Sequence, residues 1–163
     1  IVSRAGLSVE IDDTDAEGRL ILADALTRAS ELEPELIVDF ATLTGAARVA
    51  VGPEIAPFFA SQDQLAFDIE AAGKEMADPV WRLPLWQGDE ADLESPVANI
   101  KNLGGPMGGA ITAALFLKRF VKAPAWAHFD VYSWNAKDRP GRPAGGEAQA
   151  LRAVARLIRK RFG

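Results

Sequence analysis

A helix that is nearly all apolar has to sit centrally with other elements around it, and residues 110–121, from Ala110 through Leu115, Phe116 and Leu117 to Val121, read as such a helix. Any fold open to this chain must therefore wrap other elements around that segment. The glycine-rich stretch that introduces it, residues 99–109, lacks the G-K-[ST] ending of a phosphate loop. Its glycines are expected to let backbone pack closely instead. At 163 residues, with 48% hydrophobic and 25% charged side chains, the chain has the material for one sizeable core.

Strand-like and helix-like segments alternate around that helix, which points to an α/β arrangement. Leu7-Ser8-Val9-Glu10-Ile11 alternates apolar and polar, and 20–30 carries the leucines and alanines of a helix ending before Pro34. Leu36 to Phe40 is a short apolar run of buried-strand type, followed by a helix over 45–51. Residues 55–60 read as a strand that Pro57 places at an edge or a terminus, and 62–76 as a helix with Leu65, Ile69 and Met76 inward. Residues 80–86, with Trp81, Trp86 and Pro84, suit an edge strand or a subunit contact. Residues 125–131 form the last strand, and 146–162 a closing helix with Leu151, Val154, Leu157 and Ile158 on one face.

Chemistry concentrates on the loop Asp13-Thr14-Asp15-Ala16-Glu17-Gly18-Arg19, between the first strand and the first helix. If the backbone is still extended there, Asp15, Glu17 and Arg19 project to one side. Carboxylates brought that close repel unless a cation lies between them, and hard divalent ions accept oxygen ligands. Gly18 permits a tight backbone path, and the N–H groups opening the next helix, beside Arg19, favour an anion. Solvated loop acids at an ordinary helix start remain an alternative. So does a calcium loop over Asp13, Asp15, Glu17, Gly18 and Asp24, although a preceding strand fits it poorly. The acids Asp89, Glu90, Asp92 and Glu94 read as a solvated face. Thr42 to Gly45 ends a strand where open sheets keep ligand crevices, or caps the following helix. The only histidine, His128, reads as a hydrogen-bonded core residue with Asp130 as its partner.

A net charge of -5 argues against nucleic-acid and anionic-membrane partners, and the basic cluster between Arg152 and Arg161 reads as a solvated helix face. Without cysteine there is neither a disulfide framework nor thiolate chemistry, and no apolar run is long enough to span a bilayer. A soluble, cytoplasmic protein is expected. The sequence opens on Ile1 without a leader and looks like a piece of a longer chain.

Thr14-Asp15-Ala16-Glu17-Gly18-Arg19-Leu20, continued by Leu22 to Leu26, resembles the signature of the leucyl (cytosol) aminopeptidases. The likeness recurs in Asp39-Phe40-Ala41-Thr42-Leu43-Thr44-Gly45-Ala46, in Ile100-Lys101-Asn102 with Gly108-Gly109, in Ala113 to Leu117, and in Trp126-Ala127-His128-Phe129-Asp130. The resemblance implies an α/β fold with a mixed, mostly parallel sheet covered by helices on both faces, part of a dinuclear-metal exopeptidase catalytic domain. Residues 1–163 would be its C-terminal part, the N-terminal domain and the first part of the catalytic domain being absent.

The resemblance also implies that Asp15 ligates one metal (Mn or Zn) and that Glu17 bridges two. Arg19, with the amides of Ala16, Gly18 and Leu43, would hold bicarbonate as the base for the attacking water. Thr42, Gly45 and Tyr132 would line the pocket for the first side chain of a peptide with a free N-terminus. The family's further metal ligands, a lysine and two aspartates, and a second, electrophilic lysine precede Ile1, so the isolated chain is expected to be inactive. A homo-hexamer is implied, to which exposed Trp81 and Trp86 could contribute. Two departures stand out: Asp13 occupies a usual Asn position, adding charge beside the metals, and Tyr132-Ser133-Trp134 replaces small residues and puts a leucine preference in doubt. The competing reading is a non-catalytic module that binds metal or anion, or serves oligomerisation.

Overall fold

The computed structural model describes all 163 residues, Ile1–Gly163. In chain order the elements are β1 (Val9–Glu10), α1 (Gly18–Ser30), β2 (Ile37–Ala41), α2 (Gly45–Val51), β3 (Ala56–Ala60), α3 (Asp63–Glu75), β4 (Val80–Arg82), a 3₁₀ helix (Gln87–Leu93), β5 (Ile100–Lys101), α4 (Gly109–Lys118), β6 (Trp126–Asp130), β7 (Trp134–Asn135), β8 (Gly145–Gly146) and α5 (Leu151–Phe162). They group into two compact units, Ile1–Val38 with Pro84–Trp126, and Asp39–Leu83 with Ala127–Gly163.

The first unit is built on α4. Ala113, Ala114, Leu115, Phe116 and Leu117 are all buried, as a central, nearly all-apolar helix requires, and burying each such Leu or Phe contributes roughly 1.5–3 kcal/mol. Helix α1 and the 3₁₀ helix both pack on α4. The glycines serve close approach: a Cβ at Gly104 would lie 2.6 Å from Thr112 Cβ on α4. At Gly108, φ is +65°, a turn into the helix that other residues rarely adopt. Beside this core β1 pairs in parallel with β5, Val9 opposite Ile100. The turn before β1 is tied to α1, since the Arg4 amide donates to Asp24 Oδ1 at 2.7 Å and its guanidinium makes two 2.8 Å bonds to Glu31. Those bonds, with a further one from Arg28, lower the Glu31 carboxyl from 4.5 to about 2.

The second unit holds all but the first residues of β2 and β6, strands of a four-stranded sheet in the order β2-β6-β3-β4. Strands β3 and β4 are parallel, and β3 and β6 antiparallel. Hydrogen bonds from Ile37 N to Ala125 O and from Val131 N to Ala41 O climb β2 and β6 in the same direction, as parallel strands do. The sheet is thus mixed and mostly parallel. Phe129 stacks on Phe40 and Phe58 with ring centroids 4.8 and 5.4 Å apart. Helices α3 and α5 pack together, and buried Asp78 caps α5 by accepting from the Ala150, Arg152 and Ala153 amides.

Several sequence expectations are corrected. Of the two places expected for Pro57 the edge is not met, since β3 lies inside the sheet, but the terminus is. Pro57 is the second residue of β3, ahead of the β6 pairing over Phe58 to Ala60, and toward β4 the bonds use Ala56 N and Phe58 O, so no donor is needed at 57. Edge position belongs to β4, as expected for the stretch around Trp81. Met76 follows the last turn of α3 and is exposed, and Leu151 and Ile158 of α5 are exposed while Val154 and Leu157 are buried. Trp81 and Trp86 are 59% and 63% exposed.

Candidate active site

The loop ahead of α1 is shaped by one buried side chain from the strand beside it. Asn102, fully buried just after β5, accepts from the Asp12 and Asp13 amides through Oδ1 at 2.8 and 3.2 Å. Its Nδ2 donates to Asp13 O at 2.6 Å and Ala16 O at 3.4 Å. Its own carbonyl accepts from Arg19 Nη1 at 2.6 Å. An amide suits this place because it supplies donor and acceptor together. Lys101 reaches Asp12 at 3.8 Å.

Thr14 and Asp15 form a turn, and Glu17, the residue before α1, has helical dihedrals (φ -74°, ψ -31°). Asp15 and Glu17 therefore do not share one side of an extended strand; turn and helix start set their directions. Gly18 is the first helical residue and has no positive φ, so the tight path expected of it is not what the position uses. No side chain caps α1. The Asp15 and Glu17 side chains are exposed, and neither carboxylate is engaged by a protein hydrogen bond or ion pair. Arg19 is buried. Asp13 Oδ1 accepts from the Asp15 amide at 2.9 Å, a role that an Asn oxygen could also fill. Strand β1 before the loop, and Asp24 bonded to Arg4, remove the calcium-loop reading.

This arrangement can take a cation on free carboxylate oxygens and an anion at an uncapped helix start. No three Asp, Glu or His side chains of the chain converge into a group able to hold a metal ion alone.

The second unit carries the other singled-out residues. Asp130, nearly fully buried at the end of β6, accepts from Leu43 N at 2.9 Å and Thr44 N at 3.0 Å through Oδ1, and from Thr44 Oγ1 at 2.6 Å through Oδ2. Thr44 Oγ1 in turn caps α2 by accepting from Ala47 N. The Leu43 amide, expected to face an anion, is thus taken up by Asp130. His128 pairs with Asp39, Nδ1 to Oδ1 at 2.6 Å, instead of with Asp130. Alternation explains the correction, since 128 and 130 share a face of β6 but Asp39 lies across on neighbouring β2. Thr42 is exposed, and Gly45 opens α2 with free space where a Cβ would be. Tyr132 lies under the Arg48 guanidinium, 4.7 Å from the ring centroid.

The fold has known counterparts. Residues 1–155 match the model of the cytosol aminopeptidase family, catalytic domain. A probable cytosol aminopeptidase of Synechococcus sp. (strain CC9311) is 47% identical over 161 residues, covering 97% of this chain and 32% of the relative. Among solved structures, cytosol aminopeptidase from Coxiella burnetii superposes with a TM-score of 0.93 at 52% identity, over 98% of this chain and 35% of that one. The bottromycin maturation enzyme BotP, solved in complex with Mn, gives 0.90 at 38% identity, over 96% and 36%. This chain belongs to the cytosol aminopeptidase family. It spans about a third of the length of the curated relatives it matches.

Proposed function

We propose that this chain carries part of the metal and anion site of an aminopeptidase that releases N-terminal residues from peptides. The observation that carries the reading is the Asn102-clamped loop, which leaves the Asp15 and Glu17 carboxylates unengaged beside the uncapped start of α1.

In this reading Asp15 and Glu17 would hold divalent metal ions, manganese or zinc, whose chemistry when bound is to polarise a carbonyl and acidify water. The manganese in the BotP complex supports the choice of metal. Arg19, with the Gly18 amide and the Ala16 amide, whose bond to Asp13 O is long at 3.4 Å, would hold bicarbonate as proton acceptor; the guanidinium's fixed charge suits that anion. Leu43 is left out, its amide being engaged by Asp130. Thr42, Gly45 and Tyr132 would receive the first side chain of the substrate. Two carboxylates make an incomplete coordination shell, so the remaining ligands would come from outside these residues, and the chain alone would turn over little. A cytoplasmic location and a homo-hexamer belong to the same proposal and rest on the family resemblance.

The test pairs metal titration with an aminoacyl-amide assay. Expected are weak manganese or zinc binding by this chain without appreciable hydrolysis, and chelator-sensitive release of N-terminal residues by a longer protein that carries it. Robust turnover by the isolated chain would overturn the incomplete-site reading. Metal binding without hydrolysis in the longer protein would favour a non-catalytic module.

A further inference from the structure

A pocket of about 320 Å³ in the second unit carries a charge pattern opposite to that of the whole chain. Its lining includes Arg48, Lys137 and Arg139 but only one carboxylate, Glu54, together with the rings of Tyr132 and Trp134. Its volume is at the small end of ligand sites, which run from about 300 to 1,000 Å³.

The cations differ in what occupies them. Arg139 Nη1 is paired with Glu54 Oε2 at 2.7 Å, which neutralises it. Neither Arg48 nor Lys137 has a carboxylate partner. Asp138, adjacent in sequence, uses Oδ1 to accept from the Ala144 amide. Arg48 instead lies with its guanidinium carbon 4.7 Å from the Tyr132 centroid. A guanidinium held by its face keeps its in-plane N–H donors for a planar anion. The wall behind it is fixed, because Gln149 Oε1 accepts from the Tyr132 and Ser133 amides while its Nε2 donates to Pro53 O.

We propose that this pocket binds the carboxylate side chain of an aspartate or glutamate residue, between Arg48 and Lys137 and against the Tyr132 and Trp134 rings. That the residue is the first of a peptide rests on the aminopeptidase reading; the preference for a carboxylate rests on the pocket alone.

The test reads binding and not hydrolysis, so it stands or falls separately from the activity. This chain is titrated with Glu-Ala-NH2, Gln-Ala-NH2 and Phe-Ala-NH2 while the Trp134 indole N–H resonance is followed. Gln-Ala-NH2 keeps the shape and removes the charge. Glu-Ala-NH2 is expected to bind about fivefold tighter than Gln-Ala-NH2, an advantage that fades in high salt. Arg48→Gln and Lys137→Gln, two surface changes whose folding is checked by circular dichroism, should each bring the ratio toward one. The proposal is overturned if the Glu and Gln peptides bind equally, if Phe-Ala-NH2 binds tightest, if both variants keep the ratio, or if no peptide moves Trp134.

Discussion

Two loops in this molecule are held by the same device with opposite chemistry. Asp12 to Ala16 in the first unit is clamped by Asn102, and Leu43 and Thr44 in the second by Asp130, each clamp being a buried side chain of a strand or its immediate continuation. The neutral amide both donates and accepts, so it orders its loop without adding charge near Asp15 and Glu17. The carboxylate only accepts, and it engages every donor its loop offers it, both amides and a hydroxyl. One clamp leaves acidic oxygens unengaged; the other takes up the Leu43 and Thr44 amides and the Thr44 hydroxyl. The difference teaches that a neutral clamp can order a loop while leaving its carboxylates unengaged, as the proposed ion site would require.

Truncating the charged clamp should do the most damage. Asp130→Ala strands three donors around a buried site and is expected to cost at least about 3 kcal/mol by chemical denaturation. Asp130→Asn, which keeps an acceptor, should recover about half of that. A cost for the alanine variant below about 1 kcal/mol would show that the loop does not depend on this carboxylate. Asn102→Ala should cost less, about 2 kcal/mol, since its bonds are neutral. Asn102→Asp should not recover stability, because it turns a donor toward Asp13 O and Ala16 O into an acceptor; recovery equal to that of Asp130→Asn would erase the asymmetry.

Asp15→Asn and Glu17→Gln touch no bonded group and should change stability by no more than about 0.5 kcal/mol, while lowering the heat of manganese binding in calorimetry. A large loss of stability would mean that these carboxylates are structural after all. The smallest effect belongs to Glu31. Its lowered value makes its pairing with Arg4 and Arg28 fully available above about 4.5 and lost as pH falls through about 2. Glu31→Gln should therefore flatten the acid limb of the stability profile over that window, with a small loss near neutral pH, damped by solvent at this exposed site, that shrinks to nothing as pH falls through about 2.

Local patterns carried much of this structure. The helix over 45–51 coincides with α2, and the all-apolar run gave away α4, because periodicity and capping residues are read from neighbours in sequence. The close packing of the glycine loop was readable from its missing phosphate-loop ending. Partnerships were not. That His128 meets Asp39, that Asn102 and not a loop residue shapes the acidic turn, and that Pro57 fits an interior strand all depend on which strand lies beside which. Met76 looked inward because the helical period was extended past the last turn, where the chain leaves the helix and the period no longer applies. The carboxylates at 15 and 17 were found by composition, but their directions needed the turn at Thr14 and the helical backbone at Glu17.

The bond from Asp12 to Asn102 spans 90 positions, and that from Leu43 to Asp130 spans 87. On a ribosome each acidic or threonine-bearing bend emerges long before the group that will pin it, and closing so long an interval is slow. Both bends must therefore mature late, after translation has delivered their distant anchors, and a nascent chain stalled before residue 102 would expose the acids of its first bend without their final shape.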